Sequence, residues 1–233
     1  MRWEHWSILH INILIFSLMV CICMIWVGKR IQNSKTATVI GYFLGCILLF
    51  NGLLYVVYRL QKGYWEIRFD LPMEFCDWAM FVTVAALFTH SRLMSELSYF
   101  WVLSGSIHAL LTPNLGETFP QLSFFLFFVG HLGLVAASLY IVFALNLIPR
   151  QGAILRTLFY SEIYFVSALV LDFLIDANYG YLRFKPSKGS FLDYLGDWPI
   201  YLFSIQILGI SSIIALYIPF LIKSKTLKPN IIE

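Results

Sequence analysis

Apolar blocks of bilayer length recur along this chain, and they dictate what it can fold into. A helix needs about 20 consecutive, mostly apolar residues to cross a hydrocarbon core. Seven stretches meet or approach that length, roughly residues 8–28, 38–58, 71–90, 95–112, 122–147, 155–177 and 198–222. Of the 233 residues, 60% are hydrophobic and only 12% charged. Soluble domains carry about 25% charged residues, and half that complement cannot cover a globular surface. A soluble enzyme, a disordered chain and a disulfide-stapled secreted scaffold are therefore excluded. The expected fold is all-α: a polytopic membrane protein, a seven-transmembrane-helix bundle forming one integral membrane domain over residues 1–233.

The first block is too long for a signal h-region and ends in Gly28-Lys29-Arg30, so it reads as a retained span. No soluble domain is expected beside the bundle. No internal repeat is visible, which removes support for an inverted-repeat transporter. Cys21, Cys23 and Cys46 lie inside apolar stretches and read as small packing residues. No cysteine sits in a CxxC pair or a zinc-type spacing, so neither a metal nor a cofactor is expected. The net charge of +3 is spread over the loops without a basic run, which argues against nucleic acid as a partner. With the N-terminus outside, the inner segments hold nine Lys and Arg residues and the outer segments seven. The expected orientation is N-out and C-in. The sequence sets no oligomeric state.

Alternation of span direction brings the chemistry-bearing residues to one end of the bundle. At about 1.5 Å of rise per residue, Cys76 lies roughly 9 Å below Asp70, His108 roughly 7 Å below Pro113, and Asp172 roughly 9 Å below Asn178. His131 reaches deeper, roughly 15 Å below Gln121. Trp198 and Tyr201 open the last span at the same end, while Glu162 belongs to the opposite half. Intramembrane acids and histidines are costly and default to functional or water-lined positions, although one helix-linking hydrogen bond would retain any of them. Trp198 and Tyr201 also suit an interfacial aromatic belt. The fourth span carries Glu96, Ser98, Ser104, Gly105, Ser106 and His108, so it must face other helices or a wet cavity.

Cys76 follows Pro72, which is suited to the first turn of a helix. A thiol there feels the positive end of the helix dipole, which favours thiolate. Glu74 and Asp77 crowd the same turn and oppose it. From this chemistry, Cys76 is a candidate nucleophile or a packing residue.

Several consecutive segments resemble the YwaF-type bacterial integral membrane proteins. They run Leu71-Pro72-Met73-Glu74-Phe75-Cys76-Asp77, then Tyr99-Phe100-Trp101 with Leu110-Leu111-Thr112-Pro113-Asn114-Leu115, then Phe119-Pro120 leading to Phe127-Phe128-Val129-Gly130-His131. A last group joins Ala177-Asn178-Tyr179 through Lys185-Pro186 to Asp193-Tyr194-Leu195-Gly196-Asp197-Trp198-Pro199-Ile200-Tyr201. That bacterial family is similar to the eukaryotic transmembrane protein 164, an acyltransferase that moves fatty acyl chains between phospholipids. The resemblance implies Cys76 as nucleophile and His131 as its base, in the bacterial cytoplasmic membrane, with phospholipid and lysophospholipid as substrates. It also shows a departure: the bacterial pattern has a histidine two residues before the cysteine, where this chain has Glu74, leaving His131 or His108 as base.

Three functions follow as expectations. In acyl transfer, Cys76 forms a thioester, His131 moves the proton, and Asn178, Tyr201 or a backbone N–H holds the oxyanion. A metal-dependent lipid hydrolase would use His131, His108 and Asp172 or Asp77 as ligands, although no HxxxH or HExxH pair is present. A transporter or lipid-binding scaffold would use Glu74, Asp77, His131 and Asp172 as a proton or cation relay.

Overall fold

The computed structural model describes residues 5–186 and 190–226. Arg2, Lys188 and Lys228, counted above among the loop charges, lie outside the described residues, as do the side chains of Lys223 and Lys225. All seven apolar stretches are helical, and among the described residues no strand forms. The long helices are α1 (Ile8–Arg30), α2 (Lys35–Gln61), α6 (Leu122–Phe143), α7 (Ala153–Ile175) and α8 (Ile200–Thr226). These five are long and apolar enough to cross a membrane, and the chain is an integral membrane protein. Between them lie α3 (Phe75–Thr89) and a composite helix built from α4 (Arg92–Trp101), a π-helical segment Val102–Ser106 and α5 (Ile107–Leu111). The difference between seven helical stretches and five long apolar helices rests on these two. One spans only 15 residues and the other is polar.

Local sequence sets the helix ends. The Ser7 and Ser34 hydroxyls accept hydrogen bonds from the backbone N–H groups of His10 and Ala37, satisfying donors that a helix start otherwise leaves bare. The start of α3 departs from expectation. Pro72 lies in the bend before the helix rather than in its first turn, and Glu74 is the N-cap. The Asp77 carboxylate accepts from the Glu74 backbone N–H at 3.0 Å, and this reciprocal cap fixes the boundary three residues beyond Leu71. Cys76 is therefore the second residue of α3 rather than a residue well inside a longer helix.

The core is centred on α6, which packs against α1, α2, α3 and α4. The polar composite helix survives by pairing with its neighbours. Ser95, Glu96 and Ser98 are fully buried. Ser98 Oγ lies 2.7 Å from Thr83 Oγ1 on α3, and its carbonyl accepts from Ser138 on α6. At one end of the bundle, Glu96 holds Arg150 of the α6–α7 connection and Arg156 in the first turn of α7. Its Oε1 accepts from the Arg150 backbone N–H and from Arg150 Nε at 2.8 Å, and its Oε2 accepts from Arg156 Nε at 2.8 Å. At the other end, Glu117 accepts from Tyr58 and Ser123, joining the end of α2 to the start of α6.

Removing one member of a buried, hydrogen-bonded ion set leaves the rest uncompensated. Glu96→Ala is expected to destabilise the protein by about 3 kcal/mol, read by denaturant unfolding in detergent micelles. Arg150→Gln should cost less, because Arg156 still neutralises the carboxylate.

Candidate active site

Cys76 is a free, partly buried thiol in the first turn of α3. The π segment closes over it. Gly105 faces Phe75 so closely that an added Cβ would stand 2.4 Å from the ring, so only glycine permits this approach. One residue later, the buried Ser106 hydroxyl lies beside the Cys76 thiol and has no hydrogen-bond partner among the described residues. A π-turn inside a helix often marks a functional position, and here the wider turn presents Gly105 and Ser106 side by side to α3.

The opposite wall comes from α7 and the connection after it. Tyr164, Ala168 and Asp172, four residues apart, form one buried stripe of α7. Asp172 is fully buried; its Oδ1 accepts from the Tyr179 backbone N–H at 2.7 Å, while Oδ2 has no partner. Residues 178–182 dip back among the helices. Tyr179 donates its hydroxyl to the Ile67 carbonyl at 2.7 Å and accepts from the Leu71 N–H at 2.9 Å, stitching this turn to the segment before α3. The Gly180 N–H donates to Glu74 Oε2 at 2.9 Å. Tyr181 accepts from Asn114, and burial pushes its phenol pKa up. The Tyr164 ring packs on both Phe75 and Trp78, with centroids 5.0 and 5.4 Å away.

The structure thus gathers Cys76, Glu74, Asp77 and Asp172 with Tyr164, Tyr181 and Ser106. It does not join His131 to Cys76. His131 Nδ1 donates to the Phe127 carbonyl at 2.8 Å, and its ring lies over Phe127 at 4.3 Å. The neutral ring then carries its lone pair on Nε2, for which no partner is seen among the described residues. Met80 packs on Gly52 and Asn51 on Gly130, which aligns α3 and α6. At about 1.5 Å per residue, that register puts His131 roughly 8 Å deeper in the bundle than Cys76. The two residues stand on helices that pack against each other.

The other expected residues divide. Tyr201 is buried and donates to the Tyr181 carbonyl at 2.6 Å, so it is a core residue rather than part of an interfacial belt. Trp198 is exposed and donates to the Leu182 carbonyl, which suits the belt. Asn178 is spent on its own loop, accepting from the Arg183 and Phe184 N–H groups and donating to the Phe184 carbonyl. His108 lies on the exposed side of α5 beside the Ser104 backbone. Among the described residues, no three His, Cys, Asp or Glu side chains converge in a metal-holding group. Sequence reasoning passed over Tyr164, Gly180 and Tyr181. For Tyr164 a signal existed, its four-residue spacing to Ala168 and Asp172 on one helical face.

A family model described as the TMEM164 family matches residues 1–217. No curated protein and no solved structure matches the chain.

Gly180 has φ +63°, and a Cβ there would stand 2.6 Å from the Tyr164 phenol oxygen. Gly180→Ala should therefore cost about 1–2 kcal/mol, from backbone strain and the clash together. Gly116 has open space around it, so Gly116→Ala is the control that thermal unfolding should find unchanged.

Proposed function

The chain belongs to the TMEM164 family, and from that premise and the surroundings of Cys76 we propose that it is a membrane-embedded acyltransferase. In this reading it moves fatty acyl chains between phospholipids through a thioester on Cys76. The observation that carries the proposal is a free thiol at the start of α3, among polar groups drawn from three separate parts of an otherwise apolar bundle. The proposed substrates are a phospholipid and a lysophospholipid, and the proposed location is the bacterial cytoplasmic membrane.

The reaction has two halves. Cys76 loses its proton to His131 Nε2 through the hydroxyl of a lysophospholipid bound between them, which takes the thiol proton as it gives its own to the imidazole, and the thiolate attacks the ester carbonyl of a phospholipid. The tetrahedral intermediate collapses to the thioester. The departing lysophospholipid oxygen takes the proton back from His131. In the second half a lysophospholipid hydroxyl gives its proton to His131 as its oxygen attacks the thioester. Cys76 leaves as thiolate, and the proton held by His131 returns to it. The separation of His131 from Cys76 suits this order of events, because the attacking hydroxyl occupies the space between base and thioester. An apolar surrounding keeps water from hydrolysing the intermediate.

Cys76→Ala and Cys76→Ser should each abolish transfer of a labelled acyl chain between lipids in reconstituted vesicles, without lowering the unfolding temperature. Retained transfer would remove the mechanism. The relay reading draws on a different observation, the unpartnered buried Oδ2 of Asp172 close to Glu74. A proton-flux assay in liposomes separates the two: acyl transfer without flux is expected, and flux abolished by Asp172→Asn would favour the relay.

A further inference from the structure

Tyr164 carries a donor that the folded protein does not use. The residue is 5% exposed, and its hydroxyl has no hydrogen-bond partner among the described residues. Burying such a donor costs free energy with no return in the resting protein. The position is not loose. Phe75 and Trp78, which hold the ring edge-on, flank Cys76 in the first turn of α3, and Gly180 gives up its side chain to make room for the phenol oxygen. Cys76, Glu74, Asp77 and Asp172 all lie within electrostatic reach of that oxygen. The three carboxyl groups already accept backbone hydrogen bonds, from Gly180, Glu74 and Tyr179.

A buried, closely packed donor near a nucleophile and lacking an acceptor among the described residues matches what an oxyanion site requires. The side chains otherwise suited to that role are committed elsewhere, Asn178 to backbone groups of its own loop and Tyr201 to the Tyr181 carbonyl. We propose that Tyr164 is the oxyanion donor for acyl transfer at Cys76, an assignment that rests on the thioester reading above. When sulfur attacks the ester, the carbonyl π electrons move onto oxygen. The Tyr164 O–H donates a hydrogen bond to that oxyanion without giving up its proton, and releases it when the carbonyl re-forms and the alkoxide leaves. The nearby carboxyl groups make an unassisted oxyanion costly, which increases what this one donor contributes.

The test compares two reactions of Cys76 in the full chain reconstituted in phospholipid vesicles. Acylation by a short-chain 4-nitrophenyl ester passes through an oxyanion, whereas alkylation by iodoacetamide displaces iodide without one. Tyr164→Phe keeps the ring packing and removes a hydroxyl that bonds to nothing. It should slow acylation about 10²- to 10³-fold and leave alkylation and the unfolding temperature unchanged. Acylation at the rate of the unsubstituted protein overturns the assignment, as does equal loss of both reactions, which marks a structural role. If the unsubstituted protein forms no acyl adduct on Cys76, the thioester reading has failed and this assignment with it. If the adduct forms normally in Tyr164→Phe, only the role of Tyr164 has failed.

Discussion

A single carboxylate, Glu96, holds the architecture at one end of the bundle. It is fully buried, yet it accepts five hydrogen bonds from Arg150 and Arg156, whose side chains reach solvent. In a chain where charge is scarce, such an acid stays only if its partners are fixed, and fixing them docks the α6–α7 connection onto α4. Everything further along α4 inherits that placement. Serine hydroxyls and carbonyls then pair α4 with α3 and α6, and the π segment meets α3 where Cys76 lies.

The opposite end is organised by backbone rather than by ion pairs. The turn at 178–182 penetrates between helices, and its N–H groups must find acceptors where water is scarce. Asp172 and Glu74 supply them. This explains two intramembrane acids without any chemistry. In the same half of the bundle, however, Asp172 Oδ2, Tyr164 Oη and Ser106 Oγ have no hydrogen-bond partner among the described residues. Buried polar groups in folded proteins are nearly always paired, so three unpaired ones in a single region call for a reason beyond stability.

Histidine shows how far residue type alone can mislead. His10 drew no notice in the sequence, and it is fully buried with both ring nitrogens engaged, one with the Trp6 N–H and one with the Leu110 carbonyl. It pins the start of α1 to α5 and is a structural residue. His131, in an equally apolar run, keeps one nitrogen free. Nothing in the local sequence separates the two cases, because the difference lies in which carbonyls and N–H groups neighbouring helices bring within reach.

Hydrophobic runs of bilayer length determined the helical stretches, and their alternation determined which ends share a face. Both follow from short-range physics, since each helix satisfies its own backbone and its length must match the apolar layer. The sequence also marked Cys76, Glu74, Asp77 and Asp172 as exceptional through the scarcity of charge around them. The start of α3 is local as well, because Asp77 capping Glu74 outweighs the preference of Pro72 for a first turn; what remained was left to the tertiary structure. It alone drew Tyr164 to Cys76 and left His131 deeper, because helix register is set by which small residues meet which large ones. Those pairings, Gly105 with Phe75, Gly130 with Asn51 and Gly180 with Tyr164, join positions far apart in the chain and have no periodicity to reveal them.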